Sequence, residues 1–449
     1  MSRLPERLVR GALKLTGGGD GDFTDVSTDS RALGPGALFV ALTGERYDGH
    51  AYLGAARDGG ARAAVVRRGT PPMSGLDLLE VDDTLHAYGD LARARRDRVV
   101  GPVVAITGTN GKTSTKEMVA AVLRTHYRVH ATRANNNNLV GVPLTFLEGP
   151  DDIDALVVEA GANVPGEIAR YREIIEPSIT LITNVGAGHL DGFGSVDGVM
   201  REKLALARDV PLAIVGAEPP ALRVLAAVVA RRVVSAGLAH AERVPTAVEL
   251  DRLGRASFTV DGRRIALPLP GRHLAANAML AWTVARELGL DLDAAAAALA
   301  TVTVPGGRSE LTSIGRLTIL NDCYNANPQS FRSTIATAQA MRAGRRLVFV
   351  AGTMRELGPA AAALHAEVAR ELVALRPELL AAVGDFVPAL EPYRAQLGDA
   401  LLTADDAPAL APLLAARLAG DELVVLKASR GVALERILPS VTARAHSPG

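Results

Sequence analysis

At 449 residues the chain has room for about three domains of ordinary size, and its 49 Lys and Arg balance 49 Asp and Glu. That neutrality excludes a polyanion binder held by bulk charge, so any anionic ligand must be gripped by a local site. Hydrophobic residues at 48% with only 4% aromatics, 44 glycines and 25 prolines favour an aliphatic α/β enzyme and exclude collagen or coiled coil, while the single Cys323 excludes intrachain disulfides and cysteine zinc clusters and points to a reducing compartment.

Residues 1–10 carry Arg3, Glu6, Arg7 and Arg10 and lack the apolar core of a secretory signal. No apolar run approaches the roughly 18 residues of a membrane span, and the alanine-rich 294–300 is far too short. A soluble cytoplasmic protein is therefore expected. Residues 1–100 mix strand-like runs at 37–42 and 63–66 with glycine-rich and charged turns, and the 93–98 arginine cluster before Gly101-Pro102 reads as the approach to a linker.

From residue 103 buried strand-like runs alternate with helical stretches. Strands are expected at 103–107, 155–159 and 180–184, and helices at 114–125, 166–175 and 196–208. The pattern predicts a mostly parallel sheet with crossover helices. A hairpin at 255–260 and 263–267 turns on Asp261-Gly262, and a helix follows at 275–288. Beyond Val304-Pro305-Gly306-Gly307 the alternation resumes, with strands at 317–320, 347–351, 379–383 and 423–426 and helices near 330–342, 360–374, 407–418 and 432–438. A second doubly wound sheet is expected there.

The sharpest local signal is the apolar run 103–107 entering Gly108-Thr109-Asn110-Gly111-Lys112-Thr113-Ser114, directly before a helical stretch. Strand, glycine loop and helix start converge backbone N–H groups on a phosphate, although the first glycine of the common pattern is replaced by Ile106. Lys112 suits β/γ-phosphate charge, and the Thr113 hydroxyl suits magnesium, which prefers oxygen. Glu159 and His189 follow the next two strands, where open α/β sheets bind ligands. Taken singly, Glu159 reads equally as a helix cap and His189 as an ordinary loop histidine; beside the phosphate loop they read as metal ligands.

These residues resemble the Mur ligase family. The phosphate loop is followed by Lys116-Glu117-Met118, Asn135 to Asn138 lead into Gly141-Val142-Pro143-Leu144-Thr145, and Glu159-Ala160-Gly161-Ala162-Asn163 precedes Pro165-Gly166-Glu167-Ile168. Further along come His189-Leu190-Asp191-Gly192-Phe193-Gly194-Ser195, Pro270-Gly271-Arg272-His273 with Asn277, Asp322-Cys323-Tyr324-Asn325-Ala326-Asn327-Pro328 and Lys427-Ala428-Ser429-Arg430. The matches keep the family's order over nearly the whole chain. In the first block, Thr28-Asp29-Ser30-Arg31, Gly44-Glu45-Arg46 and Asp48-Gly49-His50 look like the family's UDP-sugar domain, although Asp29 and Arg31 read equally as a surface ion pair.

The resemblance implies three α/β domains: residues 1–100 for the UDP-sugar peptide, a central P-loop-type ATPase domain over 101–311 with a mostly parallel sheet, and a Rossmann-like domain over 312–449. It implies an ATP-dependent amide ligase whose Tyr324-to-Pro328 string indicates D-alanyl-D-alanine as the group added to a UDP-N-acetylmuramoyl tripeptide, through an acyl phosphate. ATP would contact Gly108 to Ser114, Asn277, Arg308 and Asn325. Magnesium would be held by Thr113, Glu159, His189 and a carbamate on Lys203, with Lys112, Lys203, His189 and Arg308 as the catalytic set. Substrates would meet Ser30, Arg31, Gly44, Arg46, Asp48, His50, Asn136, Lys427, Ser429 and Arg430. Asn321, Thr353 and Ala428 differ from the residues usual in the family, as do Leu204-Ala205 after Lys203. The expected partners are small molecules, without nucleic acid or membrane insertion, and the chain is expected to act as a monomer. A folylpolyglutamate synthase-like ligase is disfavoured by the complete first block, and a partner-moving P-loop ATPase by the lack of an arginine-rich stripe or heptad arm.

Overall fold

The computed structural model describes residues 3–44 and 47–444. Near the N-terminus a four-stranded parallel sheet runs Val26–Ser27, Ala37–Val40, Ala61–Arg67, Asp77–Val81 in spatial order. The central sheet has six parallel strands in the order Val233–Ala236, Leu212–Gly216, Ile179–Ile182, Val103–Thr107, Ala155–Glu159, Val129–Ala131. An antiparallel sheet of Thr246–Leu250, Arg255–Val260 and Arg263–Pro270 leads into the helix Arg272–Glu287. The last sheet orders Glu310–Ile314, Leu317–Asp322, Leu423–Lys427, Leu347–Ala351, Leu379–Val383 and Leu401–Ala404, with only the first pair antiparallel. The fold is α/β with mostly parallel sheets, as expected.

Many of the expected strands are buried on both faces. Every residue of Val103–Thr107, Ala155–Glu159, Leu347–Ala351, Leu379–Val383 and Leu423–Lys427 is buried, because crossover helices cover both sides of these sheets. One expectation needs correction. The stretch near 432–438 is two 3₁₀ turns, Arg430–Val432 and Leu434–Ile437, with an α-helix only at Leu438–Arg444; Ala433 between the turns has φ 53°, a left-handed value that interrupts a helix. The helix Thr84–Arg96 runs into the 93–98 cluster, capped by Asp83, whose Oδ1 accepts from the Leu85 and His86 amides.

Arg95 of that helix is buried and donates to the Gly149 and Pro150 carbonyls at 3.2 and 3.0 Å, with Asp151 2.8 Å away. Arg96 donates to the Ile175 and Glu176 carbonyls at 3.0 to 3.2 Å. These carbonyls close the helices Gly141–Leu147 and Glu167–Ile175, so two arginines from one helix neutralise the negative ends of two others. Replacing Arg95 with Ala would leave the buried Gly149 carbonyl unmatched. A loss of about 2–3 kcal/mol is expected by urea unfolding, against little change for Arg93→Ala, whose partners are exposed.

Candidate active site

The phosphate loop joins Val103–Thr107 to the helix Lys112–Leu123. Gly111 has φ 79°, and a Cβ there would come 2.7 Å from the Asn277 amide nitrogen; at Gly108, φ 143°, a Cβ would collide with the Thr183 hydroxyl. Only glycine allows both this backbone and this approach. The loop is fixed from behind: Thr183 Oγ1 donates to the Asn110 carbonyl at 2.6 Å, and Asn184 Oδ1 accepts from the Asn110 amide at 3.0 Å. Lys112 Nζ lies over the loop, donating to the Gly108 and Thr109 carbonyls at 2.9 and 3.2 Å. Burial lowers its pKa, and Arg308 lowers it further, while Glu159 and Glu356 pull the other way.

A cavity of about 1080 Å³ opens above the loop. Thr109 to Ser114, Glu159, His189, Asn277, Arg308, Asn325 and Lys427 all line it, so residues expected from seven separate stretches of sequence meet in one cleft. Glu159 ends its strand only 2% exposed; its Oε1 accepts from Asn137 Nδ2 at 2.8 Å and its Oε2 has no hydrogen-bond partner. His189 has φ 55° and places Nδ1 2.6 Å from Glu356 Oε2. The hydrogen bond from His189 is the chief reason the Glu356 carboxyl titrates below its ordinary value, against the opposing effect of burial. Lys203, on the helix Val196–Ala205, is fully buried outside the cavity lining, and its Nζ has no hydrogen-bond partner. Burial first, then the charge of Lys112, pushes its pKa down to about 7, against the pull of Glu202 and Glu167.

Residues on the far wall stitch two regions together. Asn327 caps the helix Pro328–Arg342, and its Nδ2 donates to Asn110 Oδ1 at 2.7 Å while Asn110 Nδ2 returns a bond of 3.3 Å. Gln329 Oε1 accepts from the same Asn110 amide at 2.8 Å, and its own amide reaches Glu218 at 3.0 Å. Arg308 lies face to face with Tyr324, its guanidinium carbon 3.4 Å from the ring centroid. Asn325 Oδ1 accepts from the Ala326 amide at 2.8 Å.

Several expected substrate residues have internal partners. Ser30 belongs to the 3₁₀ turn Ser30–Ala32, whose cap Asp29 takes two bonds from the Arg31 guanidinium at 2.9 and 2.8 Å. Gly44 donates to the Tyr47 carbonyl at 2.9 Å, and Arg46 lies outside the described residues. His50 Nε2 accepts from the Arg67 amide at 2.9 Å, which puts the proton on Nδ1, 2.6 Å from Asp48 Oδ1; both ring nitrogens hold the loop. Asn137 and Asn138, rather than Asn136, reach the cavity. Lys427 is buried, its ammonium 2.6 Å from Asp322 Oδ2 and 2.8 Å from the Asn325 carbonyl. Ser429 Oγ accepts from the Arg355 amide at 2.9 Å, and Arg430 is exposed.

Sequence reasoning missed Asn137, Glu356 and the Asn327–Gln329 pair as site residues. Of the departures from family usage, Thr353 accepts from the Asp385 amide at 2.9 Å, Asn321 Nδ2 donates to Glu310 at 3.2 Å, and Ala428 fills space beside Gly352. Cys323 is buried and burial raises its thiol pKa, so it is no nucleophile.

A phosphate loop on a parallel sheet, facing a second α/β sheet across one cleft, defines a nucleotide-dependent ligase of the Mur type, and the chain belongs to the Mur ligase family. Residues 22–96 match the description "Mur ligase family, catalytic domain", residues 106–285 "Mur ligase middle domain" and residues 307–430 "Mur ligase, glutamate ligase domain". Among relatives named UDP-N-acetylmuramoyl-tripeptide–D-alanyl-D-alanine ligase, that of Escherichia coli is 37% identical over 378 residues, covering 82% of each chain. That of Synechocystis is 34% identical, covering 94% of this chain and 92% of its own. The crystal structure of MurF from Acinetobacter baumannii superposes with a TM-score of 0.89 at 28% identity, covering 99% of both chains. The MurF ligase of Thermotoga maritima in complex with ADP gives 0.83 at 27%, covering 94% of this chain and 98% of its own.

The buried amine of Lys203 leaves a signature in stability. Folded, it is neutral above about pH 7; unfolded, a lysine stays charged to about pH 10. Between these limits the unfolded chain binds the extra proton, so stability rises with pH. Urea unfolding in bicarbonate-free buffer should show that rise for the native chain and a smaller one for Lys203→Met; equal slopes would remove the effect.

Proposed function

We propose that this chain is an ATP-dependent ligase that joins D-alanyl-D-alanine to a UDP-N-acetylmuramoyl tripeptide and so completes a pentapeptide cell-wall precursor. The observation that carries the reading is the single cleft in which the phosphate loop meets Arg308, Tyr324 and Asn325, in a chain related over most of its length to ligases named for that reaction. A carboxylate is a poor electrophile. Its attack on the γ-phosphate gives an acyl phosphate, and the amine of D-alanyl-D-alanine then displaces phosphate to form the amide.

Catalysis here is electrostatic and positional. Lys112 and the amides of residues 108–114 stabilise charge spreading over the transferred phosphoryl group. Arg308 approaches from the other side, and closure of the cleft keeps water from the acyl phosphate. Asn277 and Asn325 face the nucleoside. Residues 1–100 hold the UDP-sugar peptide, 101–311 the nucleotide and 312–449 the incoming dipeptide; with every named group on one chain, the enzyme acts as a monomer in the cytoplasm.

The donors present fit magnesium. Glu159 Oε2 and Lys203 Nζ are buried without hydrogen-bond partners, and Thr113 offers a hydroxyl on the cavity wall. Among the described residues no three His, Cys, Asp or Glu side chains gather at one point, so the metal would rest on Thr113, Glu159, His189, phosphate oxygens and a carbamate formed when the Lys203 amine takes up CO₂. When bound, it would supply positive charge that stabilises the transferred phosphoryl group. Labelled bicarbonate should give a carbamate NMR signal that Lys203→Ala abolishes.

A coupled phosphate-release assay tests the reaction. Turnover should need both the UDP-tripeptide and D-alanyl-D-alanine, and Lys112→Ala should lower it by about 10²- to 10³-fold. ATP hydrolysis at the same rate without either substrate would refute the ligase.

A further inference from the structure

Arg308 carries its charge on an unusual support. Among the described residues no carboxylate pairs with it, and the one hydrogen bond of its guanidinium, to the Pro305 carbonyl, is 3.5 Å long. What fixes the group is Tyr324, whose ring centroid lies 3.4 Å from the guanidinium carbon; a second unpaired arginine, Arg430, lies 5.2 Å from the same ring. The ring is tied to the arginine's own backbone, because the Tyr324 amide donates to the Gly307 carbonyl at 2.9 Å. Gly307 has φ 73°, and a Cβ there would stand 3.6 Å from the Tyr324 Cβ, so the two segments pass in close contact.

We propose that Tyr324 is a positioning residue for the phosphoryl transfer, holding the flat face of Arg308 so that its N–H edge stays free for an oxyanion in the cleft. An acidic partner would orient the arginine equally well but would neutralise it and compete with phosphate for its donors. An aromatic face attracts a cation through the ring quadrupole and accepts none of its hydrogen bonds. The same ring offsets the repulsion that two neighbouring guanidinium groups would otherwise feel, which lets Arg308 and Arg430 stand near each other without an acidic spacer. Tyr324 itself lines the cavity, so the support sits at the site it serves.

This inference rests on the proposed role of Arg308 toward the transferred phosphate. The test compares Tyr324→Phe, Tyr324→Leu, Arg308→Ala and the Tyr324→Leu/Arg308→Ala double variant by kcat/KM for ATP in the full ligase reaction, with Tm measured on each. Tyr324→Leu should lower kcat/KM by about 3- to 30-fold, the span of one cation–π contact. Tyr324→Phe, which keeps the ring, should restore most of that loss, and Tyr324→Leu should cost nothing further once Arg308 is gone. An equal loss in both backgrounds, or a Phe variant as poor as Leu at unchanged Tm, overturns the positioning role while leaving Arg308 in place. An Arg308→Ala enzyme with full activity overturns the reading of Arg308 and the proposal with it.

Discussion

The site depends on a reciprocal pair of amides. Asn110 belongs to the phosphate loop and Asn327 to the cap of a helix more than 200 positions later, and each gives and receives a hydrogen bond. The exchange satisfies the loop only when the last α/β region stands against the central sheet. Because Asn327 Oδ1 also caps the Ser330 amide at 2.9 Å, the start of the helix Pro328–Arg342 and the shape of the loop are set by the same side chain. Arg308 and Asn325 reach the cavity from that far region, so the amide pair that seats the loop also seats the groups facing it.

The second constraint is electrical. In a chain of zero net charge, positive groups must be concentrated locally where phosphates bind, and burial then works against them. The structure answers each buried or half-buried cation differently. Lys116 has the Thr132 carbonyl at 2.6 Å and Glu117 at 2.7 Å, and Lys427 has Asp322. Lys112 rests on loop carbonyls, which orient it without neutralising it. Arg308 rests on a ring. Lys203 has no hydrogen-bond partner and only the face of Phe193, 5.8 Å from its Nζ, and its amine titrates near neutrality instead. The two cations with carboxylate partners are held as structure, while Lys112, Arg308 and Lys203 keep chemistry available.

Much of this was legible in the sequence where burial is complete. Five-residue apolar runs such as Val103–Thr107 and Leu347–Ala351 announce strands covered on both faces, and polar residues at their ends announce the site, because parallel sheets collect ligands there. Short or edge strands such as Val129–Ala131 and Leu401–Ala404 escape, being too brief for periodicity. The stretch holding Leu212–Gly216, Ala221–Val229 and Val233–Ala236 has short apolar runs divided by Pro219-Pro220 and Arg231-Arg232, and runs of that length do not separate strand from helix by pattern alone. Within the site, a run of four asparagines has no internal signal for which one faces inward, and only the fold selects Asn137. Glu356 and Gln329 are site residues by virtue of contacts between separately folded regions, for which no local pattern exists.

The cores show which seam of the molecule is weakest. One continuous apolar cluster runs from Leu4 and Val9 through Leu91 and Val99 into Val103, Phe146 and Ile168, so the first region and the central sheet share a core, reinforced by Arg95 and Arg96. The clusters of the last region contain no residue before Leu317. It meets the central sheet through polar contacts instead: Asn110 with Asn327, Gln329 with Glu218, His189 with Glu356. Hydrogen bonds between exposed or half-exposed groups exchange readily with water, at a net gain of about 1 kcal/mol each, whereas separating a shared core exposes apolar surface at about 25 cal/mol per Å². The seam between the last region and the other two is therefore the weaker one, and parting there would leave the phosphate loop and its sheet intact.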